Sequence, residues 1–205
     1  MTEYIYQIPN ALPDTLCDDI IYMFELEQNN LGDGLTLSGI NKPVKDTNDI
    51  LIPKNDKKWE RIENILKNEL ALGLEKYMNS LKKEEYCFPN NSGINFTLIE
   101  GDNSLHIDYF MIQRYEKGKG KYVYHCDYYN DVKNARYRVI TYIFYLNDIV
   151  HGGETEFWGS YKIRPEKGKL VLFPATWTYP HRGIMPISDN KYIITSWFYI
   201  KSDML

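Results

Sequence analysis

The second half of this chain is a succession of short β-rich runs separated by turn residues, with no helical segment between them. Val, Ile, Thr, Tyr and Phe dominate these runs, and most of the chain's 18 tyrosines lie in this half. Parallel strands need a long crossover connection, so strands this close together pair in antiparallel fashion. The pattern therefore predicts an antiparallel sandwich or barrel. The runs span residues 105–115, 121–128, 138–148, 154–158, 168–173 and 191–200.

The first hundred residues follow a helical pattern instead. After Asp14, a predicted N-cap, apolar residues recur every three or four positions through Phe24. The same spacing predicts a longer helix over 59–81, with Lys, Glu and Asn on its other face. Residues 32–56 and 82–104 are rich in Gly, Pro, Asn and Asp, which predicts long loops or weak hairpins.

These patterns predict one domain over residues 1–205, because a chain of 205 residues is long enough for one core and short for two. Residues 1–104 are assigned as helical and loop support, and residues 105–205 as the β core. We expect an α+β, mainly β protein whose N-terminal helices pack on the outer face of one sheet.

The composition excludes several classes of protein. The 24 basic and 28 acidic residues give a net charge of −4, and no basic tract is present to bind nucleic-acid phosphates. No window approaches the roughly 20 apolar residues of a membrane-spanning helix, and the N-terminus does not resemble a signal peptide. The three cysteines fit no disulfide or metal-finger spacing, which is typical of a reducing compartment. We therefore expect a cytoplasmic protein with no membrane partner. The charge pattern disfavours sequence-independent binding of nucleic acid and leaves room only for a small basic groove.

One short motif carries the residue types of a metal centre. In His125-Cys126-Asp127 the imidazole and the carboxylate are two positions apart, so in a strand they point to the same face and Cys126 to the other. A later strand could bring His181 beside them. Two histidines and one carboxylate form the facial triad of non-haem Fe(II) sites, which leaves three of six coordination positions open.

The motif alone is weak, because His-x-Asp arises by chance and a lone histidine more often packs in a core. His106-Ile107-Asp108 is a second copy of the tripeptide. Strand alternation separates the two copies: if Tyr115 faces a cavity, Gln113 does so too, and His106 and Asp108 face away. We therefore exclude the earlier copy as a source of ligands.

Further segments accompany the later motif in a specific order and spacing. They are residues 115–127, 138–147, the Gly-Gly-Glu-Thr-Glu-Phe run at 152–157, residues 165–168, His181 and Lys191. Together they resemble the Fe(II)- and 2-oxoglutarate-dependent dioxygenases of the prolyl 4-hydroxylase type, over about residues 110–200. The resemblance implies a double-stranded β-helix, the jelly-roll or cupin-like fold of this family, with the N-terminal helices outside the larger sheet and a catalytic β core.

Carried over by position, the resemblance makes His125, Asp127 and His181 the iron ligands. It makes Lys191 the cation that pairs with the far carboxylate of 2-oxoglutarate. The physical chemistry agrees with that role, since a lysine inside a β-sandwich is costly to bury unless an anion meets it.

The resemblance also implies further contacts to the cosubstrate and the substrate. Tyr115, Tyr145 and Thr195 match residues that bond or pack against 2-oxoglutarate. Core packing remains the competing interpretation for the tyrosines, because tyrosine is so abundant in this chain. The implied cofactors are Fe(II), 2-oxoglutarate and O₂, with ascorbate as an optional reductant.

Three more residues match positions that hold the target proline in peptide-hydroxylating members of the family: Tyr122, Arg138 and Trp197. Arg138 and Tyr145 lie seven apart, so a regular strand would send them to opposite faces. A bulge or a late strand start must intervene if both reach the site.

The function implied by the resemblance is hydroxylation of a peptidyl proline with decarboxylation of 2-oxoglutarate to succinate and CO₂. Its partner would be a peptide or protein that contains proline. Two alternatives stay open: the same oxygenase chemistry on a small metabolite or nucleobase, and a jelly-roll binding module without catalysis. Two parts of the chain depart from the family pattern. Tyr199 stands where some prolyl 4-hydroxylases have histidine, and the first hundred residues match no part of the pattern. The resemblance therefore does not fix the substrate.

Overall fold

The computed structural model describes residues 2–54, 56–82, 105–107 and 109–201. The described α-helices are α1 (Asp14–Leu26) and α2 (Lys57–Lys82). The described strands are β1 (Tyr6–Ile8), β2 (Gly32–Asp33), β3 (Leu35–Thr36), β4 (Gly39–Ile40), β5 (Lys45–Asp46), β6 (Asn48–Leu51), β7 (His106–Ile107), β8 (Met111–Tyr115), β9 (Lys121–His125), β10 (Asn130–Asp131), β11 (Arg136–Tyr145), β12 (Thr155–Phe157), β13 (Tyr161–Ile163), β14 (Leu170–Pro174), β15 (His181–Gly183) and β16 (Lys191–Lys201).

Two antiparallel sheets face each other. The larger has the order β1-β14-β11-β16-β8-β6-β2, with β10 added to β11 and β7 added to β16. The smaller has the order β13-β12-β15-β9-β5, and β3 and β4 form a separate hairpin. Strands that are distant in the chain are neighbours in both sheets, as in a jelly roll. The expected α+β, mainly β class and the double-stranded β-helix are therefore confirmed.

The two helices cover the outer face of the larger sheet, as predicted. Helix α2 buries one face at helical spacing, including Trp59, Leu66, Leu70 and Tyr77. The hydroxyl of Tyr77 donates a hydrogen bond to the carbonyl of Tyr4, 2.9 Å away. Each such side chain stabilises the layer by about 1.5–3 kcal/mol through burial.

Alternate side chains of the central strand β11 pack into two different layers. Tyr142 and Phe144 belong to the core under the helices, whereas Ile143 and Tyr145 belong to a second core between the sheets. The second core also contains Phe157 of the smaller sheet. The same backbone therefore holds both the helical layer and the interior where the candidate site lies.

The N-terminal half differs from its prediction in one segment. Residues 32–56, expected to form loops or weak hairpins, contain β2 to β6, and β5 joins the smaller sheet while β6 joins the larger. These strands are short and run along sheet edges, so their sequence shows little apolar alternation. The assignment of residues 1–104 to support alone is therefore too narrow. Residues 83–104 of the second predicted loop lie outside the described residues.

Smaller corrections concern element ends. Asp14 is the first residue of α1 rather than its N-cap; the N-cap is Pro13, whose backbone is extended. The carboxylate of Asp14 lies in the first helical turn, where it complements the helix dipole.

The short strands β13 and β15 were not predicted as separate strands, because three residues are too few to show a period. No helix among the described residues is long and apolar enough to span a membrane.

Gly168 gives a test of the turn before β14. Its φ is +76°, and a Cβ there would lie 2.4 Å from the carbonyl oxygen of Leu12. Gly118 has a φ of +73° with open space around it, which makes it a control for backbone strain alone. We expect Gly118→Ala to lower the free energy of unfolding by about 1–2 kcal/mol, and Gly168→Ala to lower it by about 1–3 kcal/mol more through overpacking. Chemical denaturation measures both losses, and equal losses would contradict the steric argument.

Candidate metal centre and its cavity

The three predicted ligands converge on the inner side of the smaller sheet. β9 and β15 are antiparallel neighbours, and His125 and His181 lie directly opposite each other. His125 Nε2 is 3.7 Å from Asp127 Oδ1, and His181 Nε2 is 3.5 Å from Asp127 Oδ2. One ligand atom from each residue lies within 4.8 Å of the others. The three can therefore close on a single ion.

Backbone carbonyls orient both imidazole rings. His125 Nδ1 lies 2.9 Å from the carbonyl oxygen of Val123, and His181 Nδ1 lies 3.0 Å from that of Tyr179. A carbonyl can only accept, so each Nδ1 carries the hydrogen and each Nε2 keeps its lone pair. This is the usual orientation of metal-bound histidine.

The charge state of the cluster also suits a cation. Burial lowers the pKa of His125 to about 3, and repulsion from His181 adds to the effect, so the His125 ring is neutral at pH 7. Burial alone would raise the pKa of Asp127, but His181, His125, Thr141 and Arg138 together outweigh it and the pKa is lowered. The Thr141 hydroxyl donates to Asp127 Oδ2 over 2.8 Å. An ionised carboxylate beside imidazole nitrogens fits Fe(II), whose facial-triad sites use this donor set.

A cavity of about 860 Å³ opens from the ligands into the space between the sheets. Nine of the ten predicted site residues line it: His125, Asp127, His181, Lys191, Tyr115, Thr195, Tyr122, Arg138 and Trp197. On β16 the inward residues alternate as the sequence predicted. The structure therefore brings together residues from β8, β9, β11, β15 and β16 around one space.

Lys191 is a buried cation on the cavity wall. It is 1% exposed. Its Nζ donates to the carbonyl of Gly153 over 3.0 Å and lies 3.9 Å from the ring centroid of Tyr115. Burial lowers the pKa of Lys191 to about 7, although Glu154 acts in the opposite direction. An anionic ligand beside the ammonium would offset the cost of burying its charge.

The hydroxyl groups near Lys191 differ in their position. The hydroxyl of Tyr115 lies 3.4 Å from Gln113 Oε1, and burial raises the pKa of Tyr115, so the group stays protonated as a donor. Thr195 donates to the carbonyl of Tyr142 over 2.8 Å. Tyr145 lies one layer behind the wall, where its hydroxyl is 2.6 Å from Thr155 Oγ1. Thr155, which the sequence analysis did not single out, lines the cavity in its place.

Aromatic rings and one guanidinium form another part of the wall. The Cζ of Arg138 lies 3.3 Å from the ring centroid of Trp197 and 5.0 Å from that of Tyr129. Tyr122 stacks on His125 with centroids 3.5 Å apart and 15° between the planes. Among the described residues, Arg138 Nε and Trp197 Nε1 are buried donors without a hydrogen-bond partner. These N–H groups can accommodate acceptors of a bound molecule.

A bulge in β11 places Arg138 on this wall. The register between β11 and β16 shifts between Arg138 and Ile140. Beyond the shift, Thr141, Ile143 and Tyr145 share the inward face. The irregularity that the seven-residue spacing required is therefore present.

The earlier His-x-Asp copy lies away from the cavity. His106 is in β7, opposite Tyr199 of β16, and is not part of the cavity wall. Asp108 lies outside the described residues.

One wall of the cavity was missed by the sequence analysis. Lys45 Nζ lies 2.7 Å from Asp49 Oδ2, and Gln113 Nε2 donates to the same oxygen over 3.2 Å. Lys45 also lies 5.5 Å from the ring centroid of Tyr122. The alternation of side chains along the strand predicts that Gln113 faces inward. No pattern in residues 32–56 singles out Lys45 or Asp49. This ion pair joins β5 in one sheet to β6 in the other.

Known proteins resemble this chain in sequence and in fold. The family model of the 2OG-Fe(II) oxygenase superfamily matches residues 110–199, which include all ten predicted site residues. The protein named probable prolyl 4-hydroxylase 10 of Arabidopsis thaliana is 26% identical over 190 residues, which cover 78% of this chain and 62% of the plant protein. The chain thus spans less than two thirds of that relative's length.

Two solved structures align along nearly the whole chain. The 2OG complex of the viral collagen prolyl hydroxylase from Paramecium Bursaria Chlorella virus-1 has a TM-score of 0.66 at 20% identity, covering 96% of this chain and 96% of the viral one. A Trichoplax adhaerens prolyl hydroxylase, in complex with a hypoxia inducible factor peptide fragment, has a TM-score of 0.69 at 18% identity, covering 99% and 86%. At such identities the likeness concerns the fold. The family match falls on the strands that carry the triad and Lys191, so residues 110–199 resemble a 2OG-Fe(II) oxygenase domain.

Proposed function

We propose that the chain is an Fe(II)- and 2-oxoglutarate-dependent dioxygenase that hydroxylates a prolyl residue of a peptide or protein. The observation that carries the proposal is the meeting of the triad, a buried lysine and an arginine–aromatic cluster in one cavity. The reaction consumes O₂, 2-oxoglutarate and a prolyl C–H bond, and yields succinate, CO₂ and hydroxyproline. Ascorbate would serve as an external reductant. The free thiols of Cys17 and Cys126 support a reducing compartment such as the cytoplasm.

His125 and His181 would hold the iron through Nε2, and Asp127 through a carboxylate oxygen. When bound, Fe(II) would activate O₂, the oxidant, so that decarboxylation of 2-oxoglutarate is coupled to hydroxylation. The protein fixes the ligands before the metal arrives: two carbonyls set the imidazole tautomers, and Thr141 holds one carboxylate oxygen. Such preorganisation leaves little to rearrange on binding.

Lys191 would bind the far carboxylate of 2-oxoglutarate. Its burial makes the interaction strong, because no solvent competes for the ammonium and an ion pair in a low-dielectric site is weakly screened. Tyr115, protonated at neutral pH, would add a hydroxyl donor, and Thr195 would pack against the same group. Tyr145 would act through Thr155, which faces the cavity in its place.

The substrate side of the cavity suits a prolyl peptide. A prolyl residue has no backbone N–H and offers only carbonyl acceptors. Two buried donors on the cavity wall, Arg138 Nε and Trp197 Nε1, have no hydrogen-bond partner among the described residues, whereas Asp49 Oδ1 is an acceptor without one on the wall near Lys45. Tyr122 and Trp197 would contact the apolar ring, while Arg138 donates to the adjacent carbonyl.

The first prediction from this function concerns the metal. Replacing Asp127 or His181 by Ala removes one of three ligands, so Co(II) affinity should fall by more than the roughly 10–100-fold that follows loss of a group hydrogen-bonded to a ligand. Succinate production should be lost as well. Calorimetry and a succinate assay measure these effects, and His106→Ala is the control that should change neither. Full turnover by His181→Ala would contradict the assignment.

The second prediction concerns the cosubstrate and pH. Because the pKa of Lys191 is lowered to about 7 in the free protein, a bound carboxylate must raise it, and binding takes up a proton at higher pH. The affinity for 2-oxoglutarate in the metal-loaded protein should therefore fall about tenfold between pH 6 and pH 8. Lys191→Ala should remove this pH dependence and weaken affinity at pH 6 by about 30-fold or more, since losing one partner of a buried charge pair costs about 2–5 kcal/mol.

Lys169 offers the matched control for that experiment. It is 6% exposed and pairs with Glu166 over 2.8 Å, but it lies outside the cavity wall. Lys169→Ala should leave 2-oxoglutarate affinity and its pH dependence unchanged. A Lys191→Ala protein with the affinity of the wild type would show that another group holds the carboxylate.

The third prediction concerns the prime substrate. Arg138→Ala and Trp197→Ala should abolish hydroxylation of proline-containing peptides while a slow, uncoupled decay of 2-oxoglutarate persists, because neither side chain is a metal ligand. The control is Arg136→Ala, whose guanidinium lies 4.8 Å from the ring of Tyr199 outside the cavity. Mass spectrometry of a peptide library measures the product. Turnover of a base or metabolite, with none of any prolyl peptide, would replace the substrate assignment and retain the oxygenase chemistry.

A further inference from the structure

On the outer face of the smaller sheet, behind the metal ligands, polar side chains form a row across the strands. Lys162 of β13 lies opposite Glu156 of β12, and Glu156 lies opposite Arg182 of β15. The inward row beside it carries His181 and His125. The outer row therefore runs next to the two imidazole ligands on the opposite side of the same backbone.

Strand β9 contains a bulge at the end of this row. His181 is opposite His125 and Gly183 is opposite Tyr122, so Arg182 alone faces the two residues between them. Those residues, 123 and 124, both point outward, being 38% and 42% exposed. Two residues opposite one define a β-bulge. The extra residue turns Tyr122 and His125, which are three apart, to the same inner face.

The bulge also supplies the acceptor that orients His125. The imidazole Nδ1 donates to the carbonyl of Val123, a bulge residue, over 2.9 Å. The amide of Val123 in turn donates to the carbonyl of Val44 over 2.9 Å. The direction in which His125 Nε2 points therefore depends on the position of the bulge.

Glu156 fixes the bulge from outside. It is 2% exposed, and one carboxylate oxygen accepts from the Tyr124 hydroxyl and from Arg182 Nη2, the latter over 2.7 Å. The Tyr124 hydroxyl also accepts from the amide of Gly159 over 2.7 Å. The guanidinium of Arg182 lies 5.1 Å from the Tyr124 ring centroid. These contacts join β9, β12 and β15 at the position of the bulge.

We propose that Tyr124, Glu156 and Arg182 form an outer clamp that positions His125 for metal binding by holding the bulge of β9. The clamp residues are positioning residues, because none of them lines the cavity. The proposal rests on the proposed metal role of His125. It assigns a role in metal affinity to side chains on the far side of the sheet from the metal.

The chain contains a second cluster of the same three residue types, which serves as a matched control. Glu25 accepts from the Tyr192 hydroxyl over 2.7 Å and from Arg114 Nη1 over 3.1 Å. This cluster ties α1 to the larger sheet, whereas the bulge lies in the smaller sheet. Removing its contacts changes stability in a similar way without moving the bulge.

The experiment compares Tyr124→Phe and Glu156→Ala with Tyr192→Phe and Glu25→Ala in the full chain. Two quantities are measured: the dissociation constant of Co(II) from its visible absorption, and the tautomer of His125 in the metal-free protein from ¹⁵N chemical shifts. The clamp variants should weaken Co(II) binding by about tenfold, the lower end of outer-partner effects. They should also mix the two tautomers. The control variants should leave both quantities unchanged at a similar loss of Tm.

The outcomes separate the clamp from the metal assignment. If Glu156→Ala does not fold, Tyr124→Phe still decides, because Tyr124 is at the surface. A Tyr124→Phe protein that binds Co(II) like the wild type and keeps the Nδ1–H tautomer would overturn the clamp alone. A wild-type protein that does not bind Co(II) would overturn the metal assignment, and the clamp with it.

Discussion

The antiparallel pairing of β9 with β15 is the constraint on which the site depends. It brings His125 and His181, far apart in the chain, into direct opposition, and it carries Asp127 to the same end of the sheet. A slip of one residue in this pairing would turn an imidazole outward, since strand side chains alternate faces. The inner aromatic contacts of Phe157 and Phe173 with His181 oppose such a slip from one side. The polar row over the outer face opposes it from the other.

In the larger sheet, too, a single strand carries both core residues and residues of the cavity wall. On β11 the even-numbered residues from Ile140 to Phe144 pack under the helices, while Thr141 and Ile143 line the cavity. A substitution that changes the packing under the helices can therefore shift β11, and with it the residues that line the cavity. Because the protein interior is close-packed, neighbouring side chains do not absorb such a shift.

Much of this could be predicted from the sequence, for identifiable reasons. Helix α2 is long enough for its period to be clear, and strand parity on β16 correctly placed Lys191, Thr195 and Trp197 on one face. The same alternation predicts an irregularity in β11, because Arg138 and Tyr145 are seven residues apart. The irregularity is present next to Arg138. Only the resemblance, and no pattern of periodicity, tied His181 to the triad in advance.

Other features could not be predicted because they depend on tertiary contacts. The bulge in β9 is visible only once β15 is paired with it. Tyr145 lies one layer behind the wall because Thr155 fills the place in front. The strands β5 and β6 are too short to show alternation, and their ion pair between Lys45 and Asp49 joins residues that are polar and look loop-like in sequence.

The ion pair that spans the two sheets has a consequence for how such a protein can diversify. The residues assigned to the chemistry all lie within 110–199, whereas Lys45 and Asp49 build a wall of the same cavity from outside that segment. The shape of the pocket and the reaction performed in it are thus encoded in separate stretches of the chain. Exchange of the side chains around β5 and β6 would remodel what the pocket admits without replacing any residue assigned to the metal. Because β5 pairs with β9, such exchange must keep that backbone pairing, and selectivity in this architecture can drift within that limit.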